Sequence, residues 1–212
     1  MVGLTSQVSW RLRLPAWVKP AVWLAALAPM AYLVCALLNN ELGVNPAEAL
    51  IRSTGEWALR MLCVVLAVTP LRRALHAPSV LTLRRLLGLF VFFYVTVHLL
   101  SYSLLDMGFD VVSIVTDVYE RPFITVGAAA WLLLLALTVT SPKVVVRRMG
   151  GKRWARLHKA VYLVAGLAVL HFFWMRSGKQ DFAQVWLYGG ILAALLISRL
   201  LPKLALRPAL HS

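Results

Sequence analysis

The sequence predicts an all-α integral membrane protein, a six-transmembrane-helix bundle with both termini cytoplasmic, and three observations carry that prediction. Of the 212 residues, 61% are hydrophobic and 14% charged, where soluble domains average about 45–50% and about 25%. Apolar runs of about the 20 residues needed to cross a bilayer recur along the whole chain with short polar connections between them. Lysine and arginine alternate between rich and poor connections, 16 on one side against 4 on the other, and the richer side is cytoplasmic by the positive-inside rule. The formal charge of +14 is therefore a topology signal, and no nucleic-acid partner is expected. A single domain covers residues 1–212.

The first span, near 20–38, follows Arg11, Arg13 and Lys19. A basic region before an apolar run also begins a signal peptide, but 19 apolar residues exceed the usual core of about 7–15, so it reads as an uncleaved span. The second, near 54–71, contains Glu56 and Arg60 and is preceded by Arg52 alone. Arg72, Arg73, Arg84 and Arg85 separate it from the third, near 86–105. An acidic connection with Asp106, Asp110, Asp117 and Glu120 leads through Arg121 and Pro122 to the fourth, near 122–140. Six cations from Lys143 to Arg156 precede the fifth, near 155–175, and Arg176, Lys179 and Asp181 precede the sixth, near 182–201. Arg199, Lys203 and Arg207 complete the basic side. Pro29, Pro70 and Pro122 lie within spans or at their ends, where proline is tolerated. Cys35 and Cys63 stand singly in apolar runs, without the spacing of a disulfide framework or a zinc site.

Ionisable residues inside spans are costly and mark function. His98 lies in the third span, and His158 and His171 lie in the fifth, which runs in the same direction. Measured from the outer ends, His98 is seven residues deep and His171 four, a difference of about one helical turn. Two imidazoles at one level on two helices suit the axial positions of a six-coordinate b-type haem. Each could instead be a satisfied interhelical hydrogen bonder. Gly88, Ser101 and Gly166 would let a flat group approach backbone, and Phe92, Phe93, Phe172 and Phe173 could pack its edges. Zinc fits poorly, because no Cys, Asp or Glu adjoins these histidines.

His158 lies 13 residues before His171, about 20 Å along the axis, and the positions that would face it across a second haem hold Arg84 and Arg85. It reads as a ligand of an incomplete second site, a flavin contact or an interfacial histidine. Arg60 and Glu56 form an i, i+4 pair, either a snorkelling ion pair or a cation for a haem propionate with its orienting carboxylate. The basic cluster from Arg72 to Lys159 sets topology and can also hold a flavin phosphate. His76 and His211 are loop and tail residues with nothing beside them.

The stretch from Gly151 to His158, followed by Val161-Tyr162-Leu163 and His171, resembles the fifth-helix signature of the ferric reductase-like transmembrane family. Thr54-Gly55, Thr69-Pro70-Leu71, the stretch Arg84 to Leu89, His98 to Tyr102 and Arg121 to Gly127 match in order, from about residue 8 to 200. The likeness is nearest to the haem-binding membrane subunits of bacterial periplasmic methionine sulfoxide reductase systems. It implies a multi-pass protein of the bacterial inner membrane, in contact with membrane lipid, carrying haem b and FMN. Such a protein draws electrons from the quinone pool or a cytosolic flavin reductase and passes them to a periplasmic molybdopterin-containing methionine sulfoxide reductase catalytic subunit. The family's ligands carry over onto His98, His158 and His171. This chain lacks the second third-helix histidine and the C-terminal flavin and nicotinamide domain of the NADPH-oxidase relatives, so a separate donor is implied. No G-x-G-x-x-G or P-loop occurs, which makes the chain a non-catalytic relay. The alternatives are another haem-dependent quinone or metal reductase, or a small transporter with the same ionisable residues lining a path.

Overall fold

The computed structural model describes residues 14–178 and 180–205, all helical where regular, with no strand among them. Arg11, Arg13, Lys179, Arg207 and His211 lie outside the described residues. Among the described residues nine α-helices follow in order: α1 Val18–Leu38, α2 Pro46–Ala74, α3 Leu83–Ser101, α4 Val111–Glu120, α5 Pro122–Val139, α6 Lys143–Met149, α7 Gly151–Leu157, α8 Val161–Ser177 and α9 Ala183–Ala205. A 3-10 turn, Pro78–Thr82, leads into α3, a π-helical turn, Tyr102–Asp106, extends it, and another 3-10 turn, His158–Ala160, joins α7 to α8. Among the described residues five helical stretches are long and apolar enough to cross a membrane: Val18–Leu38, Pro46–Ala74, Pro78–Asp106, Pro122–Val139 and Gly151–Ser177. They fall on the first five expected spans, and α9 is a further apolar helix at the sixth.

Local chemistry sets the ends. Asn45 caps α2 by accepting from the Glu48 amide at 3.1 Å, with Pro46 in the first turn where its missing N–H is harmless. At 29 residues, α2 is about 44 Å long and overreaches a hydrocarbon core of about 30 Å. Asp110 caps α4 through the Val112 amide at 3.0 Å and the Ser113 hydroxyl. Those bonds, the Ser113 side chain first, hold its carboxyl below the usual carboxylate range. Gly150, at φ +82°, makes the reversal between α6 and α7 in a conformation that disfavours a side chain.

Two helix pairs form the frame. The α2 helix packs along α3 and α5 packs along α8, and the pairs meet through α3 and α5; α9 lies against α2 and α8, and α1 against α2 and α3. The core runs up α2 and α3 through Leu59, Leu62, Leu66, Val91 and Tyr94. Tyr94 is fully buried and donates to the Ala26 carbonyl at 2.7 Å, tying α3 to α1. Elsewhere the long helices present large apolar side chains outward, Leu24, Leu132 and Leu163 among them, as lipid-facing surfaces do.

Three features differ from the sequence expectation. The connection after the third span holds an amphipathic helix, α4, which a search for uninterrupted apolar runs passes over. Arg176, counted as a loop cation, belongs to the last turns of α8 and is buried, and Arg199, counted with the tail, is a buried residue of α9.

Candidate metal centre

A cavity of about 500 Å³ lies between the two helix pairs, walled by α2, α3, α5 and α8 and roofed by α4. Its lining is chiefly apolar, including Leu59, Val95 and Leu134, and both His98 and His171 line it. That volume falls in the range of about 300–1,000 Å³ for small-molecule and cofactor sites.

The histidines face each other. Their ring centres are 6.2 Å apart and their planes are inclined at 83°. Two metal–imidazole bonds of about 2.0–2.1 Å, each added to roughly 1.1 Å from ring nitrogen to ring centre, put the centres of opposed ligands about 6.3 Å apart. The spacing therefore matches one metal atom between two imidazoles. Among the described residues no group of three or more His, Cys, Asp or Glu could enclose a metal ion, so any metal held here brings its remaining ligands with it, as the centre of a flat macrocycle does.

Both rings are fixed in the tautomer that ligation needs. The Nδ1 of His98 lies 2.8 Å from the Ile51 carbonyl oxygen, and that of His171 lies 2.6 Å from the Phe123 carbonyl oxygen. A carbonyl only accepts, so each Nδ1 carries the proton and each Nε2 keeps its lone pair. Such outer-shell bonds to backbone orient metal-bound histidines. Four residues beyond each carbonyl stands a glycine: a Cβ on Gly55 would meet His98 Nδ1 at 3.0 Å, and one on Gly127 would meet His171 Nδ1 at 2.9 Å. Each imidazole thus lies against bare backbone of the helix paired with its own.

These glycines replace the small residues expected to serve the site. Gly88 and Ser101 do not line the cavity, and Gly166 lines a separate groove between α8 and α9. Phe172 is a lining residue, whereas Phe92 stacks on Trp131, Phe93 packs against Phe90 and Tyr94, and Phe173 stacks on Phe182. His158 stands apart, its ring tilted by 30° against that of Trp154 at 4.1 Å between centres, with Nε2 3.2 Å from the Thr140 hydroxyl.

Arg60 also stands outside the lining. Its Nε donates to the Tyr188 hydroxyl at 2.9 Å, its Nη2 pairs with Glu56 at 3.0 Å, and its guanidinium covers Trp57. The cations that do line the cavity are Arg52, Arg121 and Arg176. Arg176, 4% exposed, reaches Glu56 and Asp181 only at 3.5 Å each and donates to Gln184 at 3.0 Å, leaving a buried Nε with no partner. An arginine at the end of a span carries no mark in the sequence that separates it from a topology charge.

The roof is anchored by Asp117 of α4, buried, which accepts from the Tyr102 hydroxyl at 2.5 Å and pairs with Arg121 Nε at 2.9 Å.

Residues 54–169 match the model of the ferric reductase like transmembrane component family. Among curated relatives, a protein of Polaromonas naphthalenivorans is 54% identical over 84% of this chain and 81% of its own length, and one of Ralstonia nicotianae is 48% identical over 84% and 82%. A third, from Rhodospirillum rubrum, is 46% identical over 88% and 89%. Each is named a protein-methionine-sulfoxide reductase heme-binding subunit MsrQ. No solved structure matches the chain.

Proposed function

The chain belongs to the MsrQ family within the ferric reductase-like transmembrane proteins, and on that premise we propose that it is the haem-binding electron-transfer subunit of a methionine sulfoxide reductase system. The observation that carries the reading is the opposed His98 and His171 pair, 6.2 Å between ring centres, with both Nδ1 protons committed to backbone carbonyls. In this reading those two residues would hold haem b through their free Nε2 atoms, and His158 lies outside the pair. Bound there, the haem would supply one-electron exchange at its iron.

The chain's own residues do the rest. Ile51 and Phe123 hold the imidazoles in register, and Gly55 and Gly127 admit them. The apolar walls lower the dielectric around the site, which strengthens every charge within it. Arg52, Arg121 and Arg176 supply cations at the cavity wall for acidic substituents of the occupant, a task first expected of Arg60, which faces α9 instead.

The wider reading follows the family resemblance. Six helices cross the bacterial inner membrane, α9 being the sixth, with both termini cytoplasmic and the cavity toward the periplasm, as the charge asymmetry of 16 to 4 supports. Electrons enter from the quinone pool or a cytosolic flavin reductase, with FMN as a second cofactor, and leave to a periplasmic molybdopterin-containing catalytic subunit that reduces methionine sulfoxide. The test is haem and flavin quantitation with a visible spectrum on detergent-purified protein. One haem or more per chain with a low-spin b-type spectrum is the expected result, and absence of a Soret band from membrane-inserted protein would overturn the reading in favour of a transporter.

A further inference from the structure

At the end of the bundle away from the cavity, Arg199 of α9 is 9% exposed. One terminal nitrogen donates to the Leu66 carbonyl at 2.5 Å and the other to the Tyr162 hydroxyl at 2.7 Å, and the guanidinium carbon stands 5.2 Å from the centre of the Tyr162 ring. Its Nε has no partner. All of these acceptors are neutral.

No Asp or Glu of the chain can balance that charge. The eight are Glu41, Glu48, Glu56, Asp106, Asp110, Asp117, Glu120 and Asp181, and each sits at the cavity end, in the α1–α2 connection, the first turns of α2, the end of α3, α4, or the α8–α9 connection. The surroundings of Arg199 add positive charge instead. Arg84 of α3 is close enough to feel its field, and Arg73 of α2 donates to the Ser198 carbonyl beside it at 3.2 Å. A buried cation among cations, in a bundle end flanked by membrane, is strongly unfavourable until an anion joins it.

Two hydroxyls stand nearby with donors to spare. Thr69, one turn from Leu66 along the same face of α2, has a buried hydroxyl without a partner. Tyr162 accepts from Arg199 and keeps its own O–H to donate, and the residue as a whole is 37% exposed, so the seam reaches the surface beside α8. We propose that this seam of α2, α8 and α9 binds a phosphate group. The charge of Arg199 and Arg84 holds it, with the Tyr162 and Thr69 hydroxyls and Arg73 as further donors. Several cations and hydroxyls drawn from separate helices suit the three terminal oxygens and multiple charge of a phosphate better than a single carboxylate. The phosphate has two sources, the headgroup of an anionic phospholipid or, resting on the second cofactor of the proposed function, the phosphate monoester of flavin mononucleotide. The site stands on charge and hydrogen bonding alone and does not need the haem reading.

The experiment uses the full chain purified in a neutral detergent, with phosphatidylglycerol, phosphatidylcholine and flavin mononucleotide as separate probes, read by native mass spectrometry and by ligand titration. Wild type retains phosphatidylglycerol over phosphatidylcholine, or binds flavin mononucleotide, and whichever does so identifies the source. Arg199→Gln weakens that ligand about tenfold or more, and the Thr69→Val, Tyr162→Phe protein, which exchanges or loses only hydroxyls, does the same. If Arg199→Gln does not accumulate in the membrane, the hydroxyl variant decides alone. His98→Ala keeps wild-type binding of the probe, so failure of the haem assignment and failure of this site are told apart. The proposal is overturned if wild type prefers neither phosphatidylglycerol nor flavin mononucleotide over phosphatidylcholine, or if the variants bind as wild type does.

Discussion

Gly55 and Gly127 occupy equivalent places in the two helix pairs: each stands four residues after the carbonyl that receives a histidine Nδ1 proton, and a Cβ on either would come within 3.0 Å of that nitrogen. Gly55→Ala and Gly127→Ala should therefore push the imidazoles off their carbonyls. Outer-shell losses of this kind weaken metal binding about 10–100-fold. Haem content per chain, from reduced-minus-oxidised spectra, should fall accordingly while helical content is unchanged. Gly88→Ala, where nothing lies within 4 Å of the added carbon, should keep full haem and gain roughly 0.5–1 kcal/mol of helix stability.

His98→Ala and His171→Ala should each remove the low-spin spectrum from protein that still inserts, and His158→Ala should retain it. The 83° between the two imidazole planes adds a signature for the proposed ligation: crossed imidazoles would leave two iron orbitals nearly equal in energy. Low-temperature paramagnetic resonance of the oxidised protein should show the strongly anisotropic low-spin signal of perpendicular ligands, and the ordinary rhombic signal of parallel ones would contradict the geometry.

Arg176→Gln should lower the haem midpoint potential by on the order of 50 mV, because it removes a buried cation that favours the extra electron. Arg60→Leu, acting from outside the lining, should shift it less. A redox titration ranking the two in the opposite order would return the propionate role to Arg60.

Asp117→Asn should loosen the roof. It removes the carboxylate shared by Tyr102 and Arg121, a loss on the order of 1–2 kcal/mol when the partners are half exposed. Amide exchange in Val111–Glu120 should rise about 5–30-fold, with α3 and α5 unaffected.

A reporter fused after Ser212 should be active only in the cytoplasm, and one inserted near Asp110 only outside. The reverse pattern would turn the cavity to face the cytoplasm.

Five of the spans and the placing of His98 and His171 at one level were legible in the sequence because the bilayer makes the code sparse. An imidazole within an apolar run is rare enough to be noticed, and depth along a helix can be counted. What escaped depends on partners that only packing reveals. Gly55 and Gly127 look like any other helical glycine until a histidine of the neighbouring helix is placed against them. Arg60 and Arg176 have the same chemistry and both reach Glu56, and only packing decides which lines the cavity. Asp117 looked like a loop acid because ten residues of amphipathic helix between two spans do not register as an apolar run.

The division of labour between the helix pairs has one more consequence. His98 takes its orientation from α2 alone and His171 from α5 alone, so each antiparallel hairpin prepares its half of the centre without help from the other. A group ligated by both is then a cross-brace between two independently finished modules. Assembly in the membrane can be complete before loading, and occupancy should raise the cohesion of the bundle by linkage, growing with the logarithm of ligand concentration over its dissociation constant. Unloaded protein should loosen at the seam between α3 and α5, with α9 and the Glu56–Arg176 pair still bridging the hairpins, before either hairpin melts.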